Sequence, residues 1–229
     1  MSKISGRVGG STLLASKHGK ARAQGVSSNI GITDYVPANA FGNLQDNFTT
    51  LDTAVKWSGT YGTVTLSSGR ASIETSTNYS GLWSQSTWMM INTGIYAQLT
   101  PPPANGATSN YVYLEMDIID MDISDRSTNL AIYLNSFANT ISFSDNVAFN
   151  DAGRVTITYN ATSHAWCRIR HAVNTIYWDT SPDGITWTNQ RSKTAPAWIG
   201  KTNNALAFQS HRDNGTTNAA FVDNVNVLS

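Results

Sequence analysis

No window of ten or more residues in this 229-residue chain repeats its apolar side chains every 3.6 positions, whereas several short stretches alternate apolar with polar residues. The clearest runs from Tyr111 to Asp120. There Val112, Leu114, Met116 and Ile118 share one face of an extended strand, and Tyr113, Glu115 and Asp117 share the other. A chain with period two and no helical period must bury its apolar faces sheet against sheet. The fold class is therefore all-β.

Turn chemistry divides the rest. Residues 62–66 and 70–74 flank the turn Ser67-Ser68-Gly69 and form a hairpin. Residues 130–134, 140–143, 155–159, 205–209 and 220–227 read as further strands. Residues 166–171, 175–180 and 185–188 form a three-stranded meander through Ala172-Val173-Asn174 and Ser181-Pro182-Asp183-Gly184. In the second turn Pro presets φ and Gly accepts a positive φ after Asp. Pro101-Pro102-Pro103 cannot sit in a ladder and marks a surface loop. About twelve strands of this spacing predict a two-sheet antiparallel jelly-roll sandwich with an extended N-terminal arm.

Composition agrees with that architecture. Hydrophobic residues make up 40% of the chain, enough for a sizeable core, and only 13% of residues are charged. The single cysteine, Cys167, excludes an internal disulfide, so the core alone must hold the fold. No 18-residue apolar run offers a membrane helix. The first twenty residues hold no apolar run of signal-peptide length, so synthesis in a cytoplasm without a Sec-type export signal is expected. His18, His164, His171 and His211 lack ligand spacing, and a lone cysteine argues against zinc. No phosphate-cradling glycine motif precedes a helix.

Residues 1–45 differ from the body. They are rich in Gly and Ser and show no sustained periodicity, so they are expected to form an arm that orders against a partner, the alternative being a disordered leader. Residues 1–33 carry Lys3, Arg7, Lys17, Lys20 and Arg22 and no acid, which leaves ten bases and fifteen acids for residues 34–229. A +5 arm thus precedes a −5 body. Five charges over that length are sparse for nucleic acid and suit an acidic protein surface better. Leu13, Leu14, Lys17, Lys20 and Arg22 are the expected anchors. The domain division is then an arm over 1–45 and a sandwich over 46–229.

Several motifs in the body carry a resemblance. They are Trp166-Cys167-Arg168-Ile169-Arg170, then Thr175-Ile176-Tyr177-Trp178, then Ser181-Pro182-Asp183-Gly184-Ile185-Thr186-Trp187-Thr188. Asp46-Asn47-Phe48 with Leu51-Asp52 and Trp57 opens the body, and Phe221-Val222-Asp223-Asn224-Val225 closes it. Together they resemble the concanavalin A-like, laminin-G-like jelly-roll superfamily, which hosts lectin-like modules, glycosidases and inert structural domains alike. Cys167 departs from the aliphatic residue usual at its position. A basic Gly-rich arm before a Ser/Thr/Asn-rich jelly roll is similar in architecture to tailed-bacteriophage virion proteins, minor tail proteins first and head decoration proteins next. That similarity implies a non-enzymatic structural role in the virion, other virion proteins as partners of residues 1–45, and a homo-oligomer. It also implies contact of the jelly roll with host-surface glycans.

Three constellations could carry chemistry. Trp166, Arg168 and Arg170 share a strand face with Tyr177 beside them, a candidate glycan platform on the concave sheet. Aromatic rings there would face sugar C–H groups, and guanidinium forks would meet hydroxyls or carboxylates. The alternative is a solvated face of cross-strand Arg–aromatic stacks. Trp178 and Trp187 are expected to face the core, while Trp83, Trp88 and Trp198 sit in loop-like segments that could rim a pocket. Glu115, Asp117 and Asp120 resemble the E-x-D-x-x-E signature of jelly-roll β-glucanases, with Glu115 as nucleophile, Asp117 as helper and Asp120 as acid. That reading requires a bulge, because Glu115 and Asp120 point to opposite faces of a regular strand. Glycoside hydrolysis and a stand-alone carbohydrate-binding module are accordingly the alternative functions. Asp120, Asp122 and Asp125 form an acidic loop that could hold Ca²⁺, as laminin-G-like domains do at a rim; no other cofactor is expected.

Overall fold

The computed structural model describes residues 39–108 and 111–228. The described strands are β1 Trp57–Tyr61, β2 Val64–Ser67, β3 Arg70–Thr75, β4 Ser80–Ser84, β5 Gly94–Thr100, β6 Val112–Asp120 and β7 Asn129–Asn135. They continue as β8 Thr140–Asn146, β9 Val155–Thr158, β10 Trp166–Ala172, β11 Thr175–Ser181, β12 Thr188–Thr194, β13 Asn204–Arg212 and β14 Asn218–Asp223. Two seven-stranded antiparallel sheets result, ordered β1-β4-β13-β6-β7-β8-β9 and β12-β11-β10-β5-β14-β3-β2. The all-β two-sheet sandwich expected from the alternation is the observed architecture.

The alternation sets the core. On β6, Leu114, Met116 and Ile118 pack inward, and Ile169, Ile176 and Trp178 meet them from the second sheet within one buried cluster. The sheets therefore bury one face each against the other. Cys167 is fully buried in that cluster and fills an aliphatic position, and burial pushes its thiol up to about 12.

The third strand of the meander starts later than expected. Asp183 Oδ1 accepts the N–H groups of Ile185 at 2.9 Å and Thr186 at 2.7 Å, which prolongs the turn, and β12 begins only at Thr188. Trp187 consequently leaves the core and lies on the outer face, 5.8 Å from the Tyr96 ring.

The division at residue 45 also moves. Ala40, Phe41 and Leu44 are fully buried, and the Asn226 amide donates to the carbonyls of Phe41 at 2.7 Å and Leu44 at 3.0 Å. Residues 39–44 thus belong to the sandwich, because their apolar side chains complete its core. The expected anchors Leu13, Leu14, Lys17, Lys20 and Arg22 lie outside the described residues.

Candidate functional site

The outward face of the first sheet is polar and aromatic. Regular pairing sets Glu115 between Gln209 on β13 and Tyr133 on β7, and sets Asp117 between Ala207 and Ala131. Two alanines beside Asp117 lower the floor there, while tyrosines raise the walls further along the strand. A cleft of about 780 Å³ results, lined by Tyr61, Trp83, Tyr113, Glu115, Asp117, Tyr133 and Gln209 among others. Tyr61 reaches across β4 only because position 81 is glycine; a Cβ there would strike the Tyr61 ring and hydroxyl.

A chain of hydrogen bonds crosses the floor. Tyr61 Oη donates to Gln209 Oε1 at 3.0 Å, and Gln209 Nε2 donates to Glu115 Oε2 at 3.0 Å. Asp117 hydrogen-bonds Glu115 in turn. Burial raises the pKa of both carboxyls, and it raises Asp117 well above the usual range because the Glu115 charge adds to the burial. Gln209 and Arg154 favour the ionised form of Glu115. Asp117 therefore holds its proton more tightly than an ordinary carboxyl. Asp117 is 4% exposed, and its Oδ1 is buried without a hydrogen-bond partner. Burial also pushes the Tyr61 phenol up to about 12, so it remains a donor.

Asp120 is not part of this group. β6 keeps unbroken register with β13 and β7, so the bulge that would turn Asp120 towards Glu115 is absent, and Ile119 occupies the cleft-facing position instead. Asp120 accepts Lys201 Nζ at 2.9 Å. The same ammonium stands 2.7 Å from Asp122, and Asp125 Oδ1 accepts the Ser127 N–H at 3.0 Å. Lys201, then Asn203, holds the Asp122 carboxyl below the usual range. Lys201 thus offsets part of the charge of Asp120 and Asp122, while Asp125 is turned to the Ser127 backbone. Among the described residues no group of three or more His, Cys, Asp or Glu side chains could hold a metal.

Trp166, Arg168, Arg170 and Tyr177 do share one face, as expected, but on the second sheet rather than the one that carries the cleft. Their guanidinium groups are engaged. Asp179 Oδ2, on a side chain 1% exposed, accepts Arg168 Nε at 2.9 Å and Arg170 Nε at 2.8 Å. Arg168 lies 4.1 Å over Trp187 and Arg170 3.8 Å over Tyr177. Trp88 and Trp198 are buried rather than at a rim, whereas Trp83 lines the cleft. The alternation on β6 exposed the polar side of Tyr113, Glu115 and Asp117. Tyr61, Tyr133 and Gln209 escaped sequence reading because only strand order brings them together; Tyr133, an outward aromatic inside the apolar run 130–134, was the available signal.

The fold is a two-sheet antiparallel sandwich with a cleft on the outward face of one sheet. No protein-family model matches the chain, and no curated protein does. Among solved structures, it is similar to the Ca²⁺-bound exoplasmic/lumenal domain of VIP36, at 12% identity and a TM-score of 0.57 over 80% of this chain and 87% of that one. Arcelin-5, a lectin-like defense protein from Phaseolus vulgaris, matches at 12% identity and 0.56 over 79% and 95%. Apo Crh5 transglycosylase matches at 11% identity and 0.58 over 83% and 86%. At such identities the likeness establishes the fold.

Proposed function

We propose that the chain is a non-enzymatic structural protein of a tailed-bacteriophage particle, a minor tail protein first and a head decoration protein next. Its jelly roll receives host-surface glycans in the cleft of the first sheet. Its basic N-terminal segment holds it to other virion proteins, as an oligomer. The aromatic, hydrogen-bonding cleft around Glu115 and Asp117 carries the glycan reading. Tyrosine and tryptophan rings offer apolar planes to sugar C–H faces, and Glu115 and Gln209 offer polar groups to hydroxyls. Solved neighbours that carry sugar, among them VIP36 with Man2 bound, lend the reading support. The charge split between residues 1–33 and the body supports the anchored arrangement.

Binding without cleavage is favoured by the carboxyl geometry. Glycoside hydrolysis needs two carboxyls flanking the bond, about 5–5.5 Å apart in retaining enzymes and farther in inverting ones. Asp120 is instead committed to Lys201, and Ile119 takes the cleft-facing position beyond Asp117.

Glycan-array binding by the full chain tests the cleft. Wild type should bind, Tyr133→Ala should bind at least about tenfold more weakly, and no reducing ends should appear. Release of reducing ends that stops in Glu115→Gln would replace binding with hydrolysis. Replacing Lys17, Lys20 and Arg22 by Gln should reduce incorporation into particles; normal incorporation would remove the anchor.

A further inference from the structure

One end of the cleft is built differently from its floor. Val147 and Asn150 exchange backbone hydrogen bonds at 3.0 and 3.1 Å around a two-residue turn. Its central residues, Ala148 and Phe149, have φ of 52° and 61°. Such a turn favours Asn-Gly, because left-handed φ disfavours a residue with a Cβ. The strained turn nevertheless presents Phe149 at 64% exposure on the cleft wall, with its N–H fixed to the Ser127 carbonyl at 3.0 Å. An exposed aromatic held on a strained backbone points to function.

Beside Ser127 stands Arg126, also at the cleft and also at positive φ, 61°. Its guanidinium lies 4.1 Å over the Trp83 ring. Stacking fixes the plane of the fork and leaves its in-plane N–H groups free for an anion. Arg154 lines the same cleft, and its Nη2 donates only to the neutral Asn146 Oδ1, at 3.4 Å. Neither arginine forms an ion pair among the described residues. Asp125, at the same rim, turns Oδ1 to the Ser127 N–H. The other arginines with carboxylate contacts show the contrast: Arg168, Arg170 and Arg191 are each committed to a buried aspartate.

We infer that this end of the cleft is a subsite for an anionic sugar residue, with Phe149 as the plane for the sugar ring and Arg126 and Arg154 as the forks for its anion. The inference rests on the glycan reading above and adds the ligand class. A carboxylate on a uronic-type sugar and a phosphate on a phosphodiester-linked polymer share the required chemistry.

Binding of the full chain to polygalacturonate, phosphomannan, dextran and mannan tests it. An anionic polymer should bind at least about tenfold more tightly than the neutral ones, with the preference shrinking as salt rises. Arg126→Gln with Arg154→Gln should erase the preference while neutral binding persists. Phe149→Gly should raise the melting temperature, since glycine suits the turn, yet weaken binding of the preferred polymer about tenfold. Preference for one anionic polymer over the other assigns the anion to carboxylate or phosphate. Equal binding of neutral and anionic polymers, or a preference that survives the double arginine variant, overturns the subsite and leaves the glycan cleft standing. Failure to bind any polymer or array glycan overturns both.

Discussion

Asp179→Asn separates a structural role for the Arg168/Arg170 face from a ligand-binding one. Asp179 is 1% exposed and takes Arg168 Nε at 2.9 Å, Arg168 Nη2 at 2.8 Å and Arg170 Nε at 2.8 Å, while Asn189 Nδ2 reaches its other oxygen at 2.9 Å. The substitution keeps the shape, removes the charge and turns an amide N–H₂ towards groups that are all donors. A hydrogen bond to a charged group contributes about 1.5–3 kcal/mol net, and three would total about 4.5–9 kcal/mol in full burial. The arginine side chains are 22% and 31% exposed, so water recovers part of that. Breaking a buried pair by removing one partner costs about 3–5 kcal/mol, and the exposure favours the lower end, about 3 kcal/mol. A sandwich of this size loses about 2–4 °C per kcal/mol, so calorimetry at neutral pH should find the melting temperature about 6–12 °C lower. Arg168→Gln and Arg170→Gln should each cost less, because the remaining arginine stays on Asp179. In the Asp179→Asn background they should cost almost nothing further. A shift below about 2 °C for Asp179→Asn, with glycan binding lost in the arginine variants, would refute this account and restore the face as a binding platform.

Two further outcomes follow from the core and the cleft. Phe41→Ala empties a fully buried site and should lower unfolding stability in urea by about 3–5 kcal/mol; a wild-type midpoint would return residues 39–44 to the arm. Asp117→Asn should gain on wild type as pH rises. Burial holds the Asp117 carboxyl well above its ordinary 3.8, so the folded chain keeps a proton that the unfolded chain has released. Between those two values wild-type stability falls with rising pH, and above the folded value the whole penalty persists. Melting curves across that range should show a widening gap in favour of the variant, and a gap constant with pH would contradict the protonated pair.

Local rules in the sequence reached as far as each strand's two faces, and the fold class followed from them. Tyr113, Glu115 and Asp117 could be assigned to an outward face because Leu114, Met116 and Ile118 needed the core, and period two leaves no other choice. Which sheet bears a given face is a long-range property. Trp166, Arg168 and Arg170 sit beside Tyr177 through a local hairpin, which sequence could read; their placement opposite the cleft depends on β10 joining β5 and β5 joining β14. The cleft itself links residues far apart in the chain, as the Tyr61–Gln209 hydrogen bond does across 148 positions. Asp120 shows the converse error. Its spacing from Glu115 imitates a catalytic signature, but spacing acquires meaning only through a bulge, and unbroken pairing on both sides of β6 forbids one. The polar face and the register that frames it therefore belong to different levels of description. The first is written in alternation along one strand. The second arises when β13 and β7 set Gln209, Tyr133 and two alanines beside it, and it is there that a polar strand face becomes a cleft.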